Sequence, residues 1–425
     1  MIFDMHSVLH YGKRSSITLD LAADALVAHY GAPSTAPVED PASAVEAALV
    51  DPVEFPALNG ALVPGDRVAI ALHSGLPCQA QLVAGAVASL LDAGVEPRDI
   101  TIVRNRDAAG TDEDDLRRCL PDEIRSHIAL VTHDPAQRDD LGYLAASAKG
   151  DPIYINRVLW EADVVLPIGC LRVESSWDYC GAFGAIYPAF ADDATQKRYW
   201  AAGNNESVAR QEQRQRDADE AGRWLGVNMS IQVIPGHGDT VIHVLAGGVR
   251  AVYDRGRRMC EESWQFQLPQ RASLVIAGIE GGASAQTWDN VGRALANCRG
   301  AVQDDGAILI CTELRTRPGD ALNQLSQFQD IDEAFRTIHK QSSPDAAIAA
   351  ELLRALESNQ VFLLSDLERD VVEELGIVPI EDDDEIRRLV SRYPSCTIIS
   401  NAHLARVTVA DVPSQNDIEI PSQFD

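Results

Sequence analysis

At 425 residues, with 46% hydrophobic and 24% charged positions, the sequence has the composition of a soluble globular protein and the length of two domains. A net charge of −28 lacks the basic footprint that nucleic-acid binding needs and disfavours docking on anionic lipid. No apolar run approaches the roughly 18 residues of a membrane span, and the start M-I-F-D-M-H has no basic or apolar signal region, so a cytoplasmic protein is expected.

Residues 31–44, rich in Pro, Ser and Ala, read as a surface connection ahead of the helix A-V-E-A-A-L-V (44–50). R-V-A-I-A-L (67–72) is a buried strand. Pro77 then opens a helix whose pairs Leu82/Val83, Ala86/Val87 and Leu90/Leu91 recur every four residues, and Gly94 closes it. D-I-T-I-V-R (99–104) is the next strand, D-E-D-D-L-R-R-C-L (112–120) a short helix, and I-A-L-V-T (128–132) and A-D-V-V-L-P-I-G (162–169) further strands. Such alternation gives a mostly parallel sheet with crossover helices, which binds ligands beyond the carboxyl ends of its strands.

The polar segment 203–226 reads as an exposed helix with interleaved charges. N-M-S-I-Q-V-I-P (228–235) and T-V-I-H-V-L-A-G (240–247) read as a strand pair around the turn G-H-G-D (236–239), whose polarity explains His237 without a ligand role. Beyond residue 266 the rhythm restarts: strand 272–278, helix 286–298, strands 306–314, 360–364 and 396–400, with the acidic run E-D-D-D-E (381–385) as a helix start. The expected fold is α/β in two domains, 1–265 and 266–425, each with a mostly parallel sheet flanked by helices. The C-terminal tail is free to pack back on the first domain. The eight cysteines form no C-x-x-C pair, and several sit in apolar strands, which suits buried reduced thiols.

Several pieces stand in one order: Y-G (11–12), A-L-V-D-P-V (48–53), a loop ending in Pro77, and D-P-I-Y-I-N-R-V-L-W-E-A-D-V-V-L-P-I-G (151–169). The region between Gly181 and Pro188, A-S-L-V-I-A-G-I-E-G-G (272–282) and D-D-G-A-I-L-I-C-T-E-L (304–314) continue it. Together they resemble the nickel-dependent lactate racemase family over nearly the whole chain, and I-N-R-V-L-W-E-A-D is the most specific piece. The resemblance implies a two-domain isomerase of 2-hydroxy acids with a cleft between the domains. Its cleft would hold a nickel pincer nucleotide attached to a lysine, with a histidine on the metal and two acid–base histidines.

The family's chemistry-bearing positions are changed here. Its phosphate-binding Asp-x-Thr-Arg-Pro loop is His73-Ser74-Gly75-Leu76-Pro77, and leucine for arginine removes a bidentate phosphate partner. Its first catalytic histidine falls on Asp107 or Ala108, and its second on Glu174. The cofactor-bearing lysine falls on Gly184, and the metal-binding histidine on Trp200. A glycine cannot bond the cofactor and an indole does not bind nickel. The expectation is a divergent member without the nickel pincer nucleotide, with no metal ligands assigned.

The scaffold signals Pro77, Gly181 and Pro188 remain, so a crevice with a new lining is expected. A cofactor-free enzyme would use Glu174 or His73 as general base, with Asp107 beside them. Arg106, Asn105, Ser74, Gly181, Tyr179 and Trp200 would bind a small carboxylate. The alternative is a non-catalytic protein that binds a small anion or metabolite, or a regulatory paralogue. A different metal held by His73, His127, His133 and Glu174 is a third reading. The aromatics Trp177, Tyr179, Phe183, Tyr187 and Trp200 are core or partner surface, with core preferred. A small-molecule carboxylate is the expected partner, and a homo-oligomer is allowed.

Overall fold

A computed structural model describes residues 4–22, 24–105, 115–147, 150–173, 181–200, 208–328, 330–338, 340–341 and 343–410. Two six-stranded sheets organise them. The first runs, edge to edge, Val241–Gly248, Met229–Pro235, Val164–Cys170, Val68–Leu72, Ile100–Asn105 and Ala129–His133. All its neighbours pair in parallel except the edge strand Val241–Gly248. The second runs Val378–Ile380, Gln360–Leu364, Val302–Cys311, Ala272–Gly278, Cys396–Ile399 and Leu26–Tyr30, and is parallel throughout. Strands buried on both faces, such as Val68–Leu72 and Ala272–Gly278, read as unbroken apolar runs because helices cover both sides.

Each sheet reverses its strand order once. In the first, the chain builds outward from Val68–Leu72 in one direction, then returns to add Val164–Cys170 on its other side. In the second, Ala272–Gly278 and Cys396–Ile399 flank the reversal. Where neighbouring crossovers leave in opposite directions, the loops part and open a crevice at the carboxyl ends. Two crevices therefore exist.

The N-terminal residues belong with the second sheet. Asp4–Tyr11 and Ser15–Ala22 form an antiparallel hairpin whose Leu9, Ile17, Leu19 and Leu21 pack against Leu274, Ile276 and Leu309. Leu26–Tyr30 then pairs with Cys396–Ile399. The chain crosses to the first sheet through the helix Pro41–Val50 and returns through the helix Val249–Trp264. One continuous apolar cluster runs from Ala71 and Val103 through Trp264 to Val275 and Ile310, so the two halves share a core. At Gly247 (φ +143°) a Cβ would lie 2.2 Å from the Val53 carbonyl oxygen, so only glycine lets that backbone pair beside it.

Two expectations are corrected. The segment 112–120 is not a helix over its described part: 115–120 forms turns, and Arg117 is held by the Asp115 carboxylate and the Ile128 carbonyl. The Asp115 carboxylate also accepts from the Arg117 backbone N–H at 2.9 Å, and such a local side chain–backbone bond competes with helical ones. The helix Val208–Trp224 is not exposed all round, because Arg214, Ala218 and Ala221 are buried and Gly222 faces the Phe183 ring. Its apolar stripe is made of small residues, which hydropathy hides. Cys170, Cys260, Cys298, Cys311 and Cys396 are buried free thiols. No described helix is long and apolar enough to cross a membrane.

Candidate functional site

The two crevices face one another, and between them lies a cavity of about 500 Å3. The first half contributes His73, Ser74 and Leu76–Gln79 after one central strand, Arg104 and Asn105 at the end of its neighbour, and Leu116, Arg118 and Asp239. The second half contributes Lys13 and Gly282–Ser284.

Local structure fixes each contributor. The His73 N–H still bonds the Ile168 carbonyl at 3.1 Å, so the chain leaves the sheet only after it. Gly75 (φ +71°) turns the loop beneath Arg172, whose guanidinium lies 3.3 Å from where a Cβ would sit. Cys78, left-handed at φ +53°, caps the helix Gln79–Asp92 without a side-chain acceptor, and its thiol donates to the Asp239 carbonyl at 3.0 Å. That helix therefore presents its positive end to the cavity. On the far wall, the Glu313 carboxylate accepts from the Lys13 N–H at 3.0 Å and the Ser15 hydroxyl at 2.6 Å, pinning the turn that carries Lys13.

The turn 236–239 bridges the halves. The Asp239 carboxylate accepts from the Gly282 N–H at 2.9 Å, and the Asn401 side-chain oxygen accepts from the Gly238 N–H at 3.4 Å. His237 Nδ1 stands 3.8 Å from the Glu280 carboxylate, whose pKa burial pushes up. These links span the cavity rim.

Among the described lining residues, Lys13, Arg104 and Arg118 are the basic side chains and Asp239 is the acid. In a chain of net charge −28 this is a local reversal of sign. Arg104 is oriented by a 2.9 Å bond from Nε to the Thr132 hydroxyl. The cavity is chemically suited to a small anion.

Of the residues singled out from sequence, His73, Ser74 and Asn105 line the cavity. Gly181 (φ +53°) starts a buried turn-rich segment, 181–190. Trp200 ends the helix Asp193–Trp200. Arg106, Asp107, Glu174 and Tyr179 lie outside the described residues. His133 and His127 do not join the site: His133 is buried with Nε2 on the Ala191 carbonyl at 3.0 Å, and His127 Nδ1 sits on the Glu123 carbonyl at 2.8 Å. Among the described residues no three His, Cys, Asp or Glu side chains converge as a metal site. Phe183 and Tyr187 pack as core, Tyr187 edge-on to Tyr199. Lys13, Arg104, Arg118, Asp239 and the 282–284 loop escaped the sequence reading, although all but Arg118 follow or flank the carboxyl end of a strand.

Burial holds His133 and His403 below the ordinary imidazole value, and His29 and His243 shift the same way. Each unfolded imidazole binds its proton more readily than the folded one. Stability is therefore full above about pH 6.5 and falls as pH drops through that value toward the lowered folded values. Glu280, raised by burial, opposes this between the ordinary carboxylate range and its raised value, but is a single group. Calorimetric melting temperature should be flat from about pH 8 to 7 and decline below about 6.5. His133→Asn should flatten the decline.

Residues 11–209 match the family described as lactate racemase N-terminal domain. The structure is similar to that of the lactate racemase apoprotein from Thermoanaerobacterium thermosaccharolyticum, with TM-score 0.77 and 15% identity over 95% of this chain and 100% of that one. It is also similar to a protein from Thermotoga maritima, with TM-score 0.64 and 13% identity over 87% and 99%. At these identities the likenesses show the fold. A search of the curated proteins gave no match.

Proposed function

Since residues 11–209 make this chain a member of the lactate racemase family, and the whole chain has that fold, we propose that it binds a small carboxylate of the 2-hydroxy acid kind without a nickel pincer nucleotide. The observation that carries the reading is the lining itself: Lys13, Arg104, Arg118 and a helix N-terminus converge on one cavity in a strongly acidic chain.

The residues present do not fit the pincer nucleotide. Gly184, where the attaching lysine would stand, is buried in the 181–190 turns and has no amine to offer. Leu76, where a phosphate-binding arginine would stand, is 2% exposed and packs in the core of the first half. The lysine among the described lining residues, Lys13, comes from the opposite wall. No step is therefore routed through that group.

Two measurements test this reading. Native mass spectrometry with metal analysis of the purified protein should find neither nickel nor a nucleotide-sized ligand at stoichiometric amounts; both present together would overturn it. Calorimetric titration with each lactate enantiomer should saturate and weaken as salt is raised, because exposed charges are screened. No heat and no thermal stabilisation with either enantiomer would sink the anion reading.

A second reading, isomerisation without the pincer, is favoured by His73, a titratable side chain in the cavity at the end of a central strand. Incorporation of solvent deuterium at C2 of lactate would support turnover over binding alone.

A further inference from the structure

The second half meets the cavity with Lys13 and Gly282–Ser284, and both stand on turns rather than on strands or helices. Two side chains outside the cavity lining, Gln286 and Glu313, hold those turns in place.

Gln286 is 5% exposed. Its Nε2 donates to the Ile279 carbonyl at 3.2 Å and the Gly281 carbonyl at 2.9 Å, both in the loop that follows Ala272–Gly278. Its Oε1 accepts from the Thr312 hydroxyl at 2.6 Å and the Glu313 N–H at 2.9 Å, just past the adjacent strand Val302–Cys311. A carboxamide has two N–H donors and two lone pairs, so this one is saturated. It stitches together the ends of two neighbouring strands, and buried polar networks that are fully satisfied rigidify what they join.

Glu313 carries that rigidity to the hairpin turn. Its backbone is fixed by Gln286, and its carboxylate holds both the Lys13 N–H and the Ser15 hydroxyl. The turn is also laid against the 279–281 loop: the Gly12 N–H donates to the Ile279 carbonyl at 2.8 Å, and the Gly281 N–H donates to the Gly12 carbonyl at 2.9 Å. A Cβ at Gly12 would collide with the Glu313 carboxyl group, so the close approach of the two depends on glycine.

We infer that Glu313 is a positioning residue of the anion site, set in place by Gln286 and acting on the ligand through Lys13. The inference rests on the carboxylate-binding reading above and adds to it what fixes the second half's cation. A lysine side chain loses much rotamer freedom when it binds, and a backbone held rigid beneath it reduces what remains to be ordered. The charge of Glu313 works the other way. An acid bonded to the backbone of that lysine repels an anion, so its contribution to binding lies in its two hydrogen bonds.

These two effects have opposite signs, and calorimetric titration with lactate separates them. Glu313→Ala should weaken lactate about tenfold, within the range of one hydrogen bond to a charged group, because the turn is released. Charge alone would make the same variant bind more tightly. Glu313→Gln also removes the charge, but its side-chain oxygen can accept from the Lys13 N–H and its amide can donate to the Ser15 oxygen, so it should recover most of the affinity. Lys13→Ala should weaken lactate, and adding Glu313→Ala to it should cost nothing further, whereas a merely structural loss would persist in that background. Circular dichroism and melting temperature check that each variant is folded. Should Glu313→Ala fail to fold, Ser15→Ala breaks one of the two bonds without changing the charge, and should weaken lactate about threefold when Lys13 is present and not when it is absent. Unchanged or tighter binding by Glu313→Ala, or an equal loss with and without Lys13, overturns the inference and leaves the anion reading standing. No binding of lactate by the intact protein overturns both.

Discussion

Trp264→Ala should lower the unfolding free energy by about 3–5 kcal/mol, the range for emptying a buried aromatic site. Trp264 is 1% exposed and ends the helix Val249–Trp264, whose Val252, Tyr253, Gly256 and Cys260 face the same core. Its indole N–H donates to the Pro235 carbonyl at 2.8 Å, at the end of a strand of the first sheet. Its ring meets Phe266 edge-on at 6.5 Å, and Phe266 stacks at 4.6 Å on Tyr30, in the outermost strand of the second sheet. The next residues, Gln265–Leu268, pair with Arg406–Val409. One side chain thus ties the first sheet, the returning helix and the second sheet. Trp264→Phe keeps most of the packing but removes the indole bond to the Pro235 carbonyl, and should cost about 1–3 kcal/mol. Urea unfolding of the two variants checks the order. A loss under about 1 kcal/mol for the alanine variant would show that the junction does not depend on this residue.

Arg104→Glu should weaken lactate binding at least about 100-fold. A hydrogen bond to a charged group is worth about 1.5–3 kcal/mol, and each 1.4 kcal/mol is tenfold. The reversed charge adds repulsion inside a partly enclosed cavity, where screening is weaker than at the surface. Arg104 is suited to this role because Thr132 already fixes its Nε. The control is Arg317→Glu, which makes the same change of net charge at an exposed pair with Glu368. Calorimetry should find that control unchanged. Equal weakening by both variants would mean that the overall field, not a site, governs binding.

Much of the first sheet could be read from the sequence because each segment states its own period. R-V-A-I-A-L (67–72) forms the strand Val68–Leu72, and the four-residue repeat after Pro77 forms the helix Gln79–Asp92, closed by Gly94 at φ +92°. The strand pair around 236–239 forms as expected. The early hairpin was overlooked, although Ser15–Ala22 alternates cleanly between buried and exposed positions. Alternation in any case cannot name the sheet that receives its apolar face. That is decided by Leu9, Ile17 and Leu19 meeting Leu274 and Leu309, far away in sequence.

The site divides in the same way. His73, Ser74 and Asn105 were legible because loops after parallel strands face a crevice, and strands and loops are local features. Lys13 and Gly282–Ser284 were not, because their nearness to His73 exists only once two separate sheets are set carboxyl end to carboxyl end. The sequence alone determined the α/β class, most of the strands and the family resemblance, since periodicity, caps and apolar runs act within a few turns of chain. The tertiary structure alone decided that residues 4–30 join the second sheet and that a cationic pocket forms in an acidic chain. Each of these depends on contacts between residues tens to hundreds of positions apart, which local propensity does not encode.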